Sequence, residues 1–123
     1  MPGHHWNVFA AFVIVISLAA SAKAETVDVK YRGPVPLDTF ECQDISRSSF
    51  IKRVCFDSAQ SYLIINLGGT YYHYCAVDRV TVDALLAAPS MGKFYNAEMK
   101  GTGSDGPFDC RTHPIPKYDS KSP

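Results

Sequence analysis

The dipeptide Gly68-Gly69 constrains this chain more than any other feature. It separates two runs of strand-forming residues, Ser61 to Leu67 and Thr70 to Val77. Two glycines between such runs specify a two-residue hairpin turn, because glycine takes the positive-φ turn conformations without steric cost. The turn sets a register. With Leu67 opposite Thr70, Ile65 faces Tyr72 and Leu63 faces Tyr74. Opposed residues share a side of the sheet, so Tyr72 and Tyr74 join the Leu63/Ile65/Leu67 face. Tyr71, His73 and Cys75 fall on the other face with Tyr62, Ile64 and Asn66.

Ser49 to Asp57 reads as a strand before the hairpin, with Phe50, Val54 and Phe56 on one side and Ile51, Arg53 and Cys55 on the other. Asp57-Ser58-Ala59-Gln60 is a turn by composition. A helix follows from Asp78 to Ala88, with Asp78 as N-cap, Val82, Leu85 and Leu86 as its apolar stripe, and Pro89 as its stop. Ser90 caps a second helix, Met91 to Lys100, along which Met91, Tyr95 and Met99 repeat at i, i+4; Gly101 suits its end. The predicted fold is α+β: a three-stranded antiparallel β-meander with two short helices packed on one face and disulfide-tied flanks. The helices need an apolar surface, and the Leu63/Ile65/Leu67 face supplies it.

The first 24 residues read as processing signal rather than fold. A short polar start leads into the apolar run Val8 to Ala20, followed by Ala22-Lys23-Ala24. An apolar stretch before an A-x-A site is the pattern of a secretory signal peptide, and ~20 apolar residues would be needed for a membrane span. The start lacks Lys and Arg, unlike the usual pattern, and an uncleaved anchor is the competing reading. The expected product begins at Glu25, is periplasmic or secreted, and keeps no stable membrane span. Removing Lys23 from a chain with 12 basic and 12 acidic residues leaves it about one charge negative. That argues against bulk nucleic-acid binding, which favours a basic domain.

Cys42, Cys55, Cys75 and Cys110 all lie beyond the cleavage site. An even count in a small exported chain predicts two disulfides. Strands one and three of a meander lie roughly 9.6 Å apart, beyond the ~7 Å reach of a disulfide, so Cys55–Cys75 is disfavoured. Cys42–Cys55 with Cys75–Cys110, or Cys42–Cys75 with Cys55–Cys110, both remain. In the N-terminal flank, 25–47, Glu25 to Tyr31 alternates like a short edge strand. Gly33-Pro34-Val35-Pro36 reads as a break in regular structure, and Leu37 to Ile45 as an extended segment laid on the domain. The tail, 102–123, is rich in Gly and Pro. It is expected to be irregular, pinned at Cys110 and loose beyond Lys117.

Ser48-Ser49-Phe50-Ile51, Phe56-Asp57, Leu63-x-Ile65-x-Leu67-Gly68-Gly69, Tyr72-His73-Tyr74-x-x-Val77 and the run Ala88-Pro89-Ser90-Met91-Gly92-Lys93-Phe94-Tyr95-Asn96 together resemble the KTSC domain, over residues 48–101. The resemblance implies a compact module of β-hairpin and helix, for which RNA binding has been suggested. This chain departs from the family pattern with Asp78 where proline is common, Met91 where lysine is common, and four extra cysteines. The lost lysine and the exported setting weigh against RNA.

The candidate binding residues are Tyr71, Tyr72, His73, Tyr74, Lys93, Phe94, Tyr95 and Asn96. Exposed aromatics on a sheet can stack a base or another ligand, although Tyr72 and Tyr74 fall on the face that the helices cover, where packing is the plainer role. Gly92 to Asn96 opens a helix whose free N–H groups could hold an anion, although any helix start carries such donors. His73, Cys75, Cys110 and His113 could be spaced around zinc, but export favours disulfides. Paired cysteines supply no thiolate nucleophile. Gly101 to Gly106 spells G-x-G-x-x-G, but it follows a helix rather than a strand and is spurious as a nucleotide motif. The expected function is a non-enzymatic exported interaction module without a cofactor or metal, whose partner is a protein or envelope component; RNA binding is the alternative.

Overall fold

The computed structural model describes residues 25–100 and 106–119. The expected signal peptide, the helix stop at Gly101 and most of the G-x-G-x-x-G stretch lie outside the described residues. The hairpin forms as its glycines require. β5 (Tyr62–Leu67) pairs with β6 (Thr70–Tyr74) in the expected register, Leu67 opposite Thr70 and Leu63 opposite Tyr74. Gly68 and Gly69 hold φ of 60° and 102°, and Asn66 Oδ1 accepts the Gly69 N–H at 2.8 Å.

The meander is only the middle of a larger sheet. Six strands lie in the order β2-β1-β6-β5-β4-β3, with β1 (Thr26–Val29), β2 (Gly33–Pro36), β3 (Glu41–Asp44) and β4 (Ile51–Asp57). β1 meets β6 in parallel at Val29 opposite Tyr71, and every other pairing is antiparallel. The fold is α+β, with a six-stranded mixed sheet in place of the expected three strands.

Two local expectations are corrected. Gly33 to Pro36 is a strand rather than a break. Leu37 N–H donates to Glu25 O at 2.8 Å, and bonded pairs alternate along an antiparallel ladder. Val27/Val35 and Val29/Gly33 are then the bonded pairs, and Pro34 and Pro36 occupy the positions whose nitrogen faces outward. Proline is tolerated there, on an edge strand. In β4 the register shifts between Ile51 and Arg53. The extra residue rotates Ile51 onto the side of Val54 and Phe56, fully buried, and leaves Phe50 43% exposed.

The sheet is curled. From Pro36 to Glu41 the chain has five peptide steps, which reach at most ~18 Å. Six flat strands would hold β2 and β3 ~24 Å apart. Closure brings Glu25, before β1, to Arg53 of β4 in a two-point ion pair at 2.5 and 2.9 Å. Inside the curl lies a core of Val27, Val29, Val35, Leu37, Cys55, Tyr62, Ile64, Cys75 and Cys110. The sheet face away from the helices is therefore covered by the chain's own flanks. The tail also reaches further than expected: Tyr118 packs on Phe40 and Tyr62 and donates to Asp57 Oδ2 at 2.8 Å.

The other face carries the helices. α1 (Arg79–Ala87) begins where Asp78 Oδ1 accepts the Thr81 N–H at 2.8 Å. α2 (Met91–Phe94) continues as a wider π-helical turn, Tyr95–Met99, closed by Lys100 N–H donating to Tyr95 O. The expected Met91 to Lys100 helix is thus present as two kinds of turn. Ile51, Val54, Phe56, Leu63 and Ile65 meet Val82, Leu85, Met91, Tyr95 and Met99 in this core. Within it the Tyr74 and Tyr95 hydroxyls bond at 2.7 Å, and burial, then that bond, raises the Tyr74 pKa.

The disulfides are Cys42–Cys55, with Cα atoms 4.0 Å apart on paired strands, and Cys75–Cys110. β5 separates β4 from β6, which keeps Cys55 from Cys75.

Two stability outcomes follow. By loop-closure entropy, replacing Cys75 and Cys110 with serine costs about 4 kcal/mol, and replacing Cys42 and Cys55 about 3 kcal/mol, because the loops span 35 and 13 residues. Urea unfolding should rank the two variants in that order. Tyr95→Phe strands the Tyr74 hydroxyl and costs about 1–3 kcal/mol. Adding Tyr74→Phe recovers most of that loss, a non-additivity that a double-mutant cycle in urea will measure.

Candidate functional site

A groove of about 680 Å³ is lined by Tyr72, His73 and Tyr74 together with Tyr31, Met99, Gly106, Phe108, Asp109, Cys110 and Arg111. Successive strand residues point to opposite faces. A groove that touches all three of Tyr72, His73 and Tyr74 therefore runs along the edge of β6 rather than over either face.

The edge is open because its neighbours leave it early. β1 accompanies β6 only as far as Tyr71, where Lys30 N–H donates to Tyr71 O at 2.9 Å. The chain then turns away at Tyr31, whose φ is 69°. Beyond the gap, Cys75 N–H donates to Phe108 O at 2.9 Å. Tyr71 and Cys75 thus direct their peptide groups away from β5. Alternation along the ladder gives His73, midway between them, the same direction. Among the described residues, nothing pairs with the His73 N–H or C=O.

The His73 side chain faces the other way, into the curl. Its Nδ1 bonds the Tyr62 hydroxyl at 2.8 Å, and the Arg32 guanidinium lies 5.0 Å from the Tyr62 ring and 5.4 Å from that of Tyr118. Arg32 Nη2 donates to Pro116 O, while its Nη1 is buried without a partner among the described residues. Burial first, then Arg32, lowers the His73 pKa, with Asp109 opposing. At the groove rim, Lys30 Nζ sits 5.3 Å from the Tyr31 ring and 5.8 Å from the Tyr72 ring. Arg111 holds Asp109 at 2.8 Å and lowers its pKa. The site therefore offers aromatic faces, a peptide edge and nearly balanced charge.

The structure gathers some of the residues proposed from sequence and scatters others. Tyr72, His73 and Tyr74 line the groove, Tyr74 mostly from within the core. Tyr71 packs into the inner core. Lys93 and Asn96 are exposed, Phe94 is half-buried, Tyr95 is buried, and none of the four reaches the groove. At this helix start the Lys93 N–H is taken by Ser90 Oγ at 3.3 Å and the Phe94 N–H by Ser90 O at 3.1 Å, which engages two of the donors in the Gly92 to Asn96 run. Cys75 and Cys110 are bonded to each other, which withdraws both sulfurs from any zinc set with His73 and His113.

Sequence reasoning missed Tyr31, Phe108, Asp109 and Arg111. A signal for the last three existed: a Cys75–Cys110 bridge necessarily lays residues around 110 beside β6, but counting alone left that pairing open.

A family model of the KTSC domain matches residues 47–102. Residues 47–102 are a KTSC domain. A crystal structure of a KTSC domain protein from Yersinia pestis matches with 26% identity and a TM-score of 0.48, covering 51% of this chain and 89% of that one. Among curated proteins nothing matches. The KTSC domain supplies β4, β5, β6 and both helices; the far wall of the groove, Tyr31, Gly106 and Phe108 to Arg111, is built by residues outside it.

The lowered His73 pKa carries a sign. The folded state takes up the proton less readily than the unfolded state, so stability is complete above about pH 6.5 and falls as pH drops below it. Urea midpoints from pH 8 to pH 5 should decline for the natural chain, and His73→Gln should flatten that decline.

Proposed function

We propose that this chain is an exported, non-enzymatic interaction module that takes its ligand in the groove along β6. The observation that carries this reading is the construction of the groove: segments on both sides of the KTSC domain converge on one open strand edge and wall it with aromatic rings. Ligand sites are concave, mostly apolar and carry a few placed polar groups, and their volumes run from ~300 to ~1,000 Å³. Export is supported by the apolar run and A-x-A site before Glu25 and by two disulfides, which persist in oxidising compartments. The binding role is supported by the chemistry present. The four cysteines are paired, and burial raises the pKa of Tyr62, Tyr74 and Tyr95, which keeps those hydroxyls protonated. The partner is a protein or envelope component.

Charge disfavours RNA as the ligand. The exported part is about one charge negative, and Arg111 is engaged with Asp109 at the groove itself. A photocrosslinking amino acid tests the location. Tyr31 is 85% exposed at the groove, and Val80 is 74% exposed on α1, away from it. With p-benzoylphenylalanine in place of Tyr31, irradiation of the exported compartment should yield a discrete adduct, and in place of Val80 it should not. Equal labelling from the two positions, or none from Tyr31, overturns the assignment. So does an adduct to RNA whose affinity falls steeply with salt.

A further inference from the structure

We infer that the groove binds an extended, apolar peptide segment of a partner protein, which pairs with His73 as a short antiparallel strand. The inference rests on the groove being the ligand site and adds the class of ligand and the way it is held.

The edge of β6 is paired at Tyr71 and again at Cys75, and among the described residues it is open between them. His73 presents one donor and one acceptor into that opening. In an antiparallel ladder a single residue of the incoming strand exchanges both bonds with the residue it faces. A parallel strand would divide them between two residues and need more length, which Lys30 and Phe108 do not leave. The opening admits about one such bonded pair.

The shape of the groove points to a peptide as well. A strand sends alternate side chains to opposite faces. The lining does likewise: Tyr72, Tyr74 and Met99 belong to the helix side, while the His73 side chain belongs to the inner side. A peptide docked at His73 places its neighbouring side chains against Tyr72 and Phe108. A flat base would satisfy one plane and leave the other side of the edge uncovered. Strand addition of this kind takes affinity from main-chain bonds and specificity from pockets for alternate side chains. Edge pairing is otherwise blunted in this sheet: β2 turns two prolines outward, and the opposite edge, β3, carries Glu41 and Asp44.

The test uses the purified chain with both disulfides intact. The probe is a random heptapeptide library displayed on phage, followed by the recovered peptide in synthetic form. In the free chain, the His73 amide should exchange with solvent faster than those of Tyr72 and Tyr74, which are bonded to β5. Saturating peptide should slow exchange at His73 by about tenfold or more and leave the other two nearly unchanged. N-methylation at one peptide position should weaken binding by about tenfold, while methylation at the adjacent positions has little effect. Peptide that shifts the resonances of Tyr31 and Arg111 but leaves His73 exchange unchanged overturns the strand pairing while the groove stands as the site. Recovery of no peptide, binding away from the groove, or protection of His73 by a mixed-sequence RNA oligonucleotide and not by peptide overturns the inference. Crosslinking from Tyr31 judges the groove itself separately.

Discussion

The buried carboxylate of Asp57 is the point on which this structure closes. It ends β4 only 2% exposed, and a polar group buried in that way is costly unless it is hydrogen-bonded. Its partners come from three separate parts of the chain. Thr39 Oγ1 donates from the β2–β3 link at 2.7 Å, Gln60 N–H from the β4–β5 turn at 3.3 Å, and Tyr118 from the tail at 2.8 Å. The same groups that satisfy the carboxylate therefore hold the curl shut. Phe40, Tyr62 and Tyr118 pack on one another, and the Arg32 guanidinium lies over two of those rings.

Curling gives this KTSC domain a second core. The domain's strands and helices form one layered core, as an amphipathic sheet with helices on one face must. The remaining sheet face would be an exposed apolar surface of Tyr62, Ile64 and Cys55. The flanks cover it, and the two disulfides fasten them, Cys42 beside β4 and Cys110 beside β6. Short chains bury a small fraction of their surface and benefit from such covalent ties. The groove is a by-product of the way this covering ends. β1 leaves β6 after Tyr71, the tail rejoins it at Cys75, and the stretch between them, unpaired among the described residues, borders the groove.

His73 links the two levels. Its imidazole belongs to the closed interior through Tyr62, while its peptide group belongs to the open edge. A ligand that paired with that peptide group would stiffen a residue whose side chain helps hold the tail, through Tyr62 and Tyr118, against the sheet. Occupancy of the edge and closure of the curl are thereby expected to support each other.

The local code was legible where neighbours in sequence are neighbours in space. Gly68-Gly69 determined the hairpin and the faces of Tyr72, His73 and Tyr74, because a two-residue turn permits one register. Asp78, Pro89 and Ser90 marked the helix ends because capping acts within a single turn. Strand spacing alone disfavoured a Cys55–Cys75 bridge. What lay beyond reach depended on contacts between distant segments. The bulge that turns Ile51 inward needed β5 against which to shift. Gly33 to Pro36 became a strand only because β1 was there to receive its bonds, with both prolines turned outward. The choice between two disulfide pairings, the curl and the open edge at His73 were decided by tertiary structure, since each depends on which flank reaches which side of the sheet and how far the linking residues can stretch.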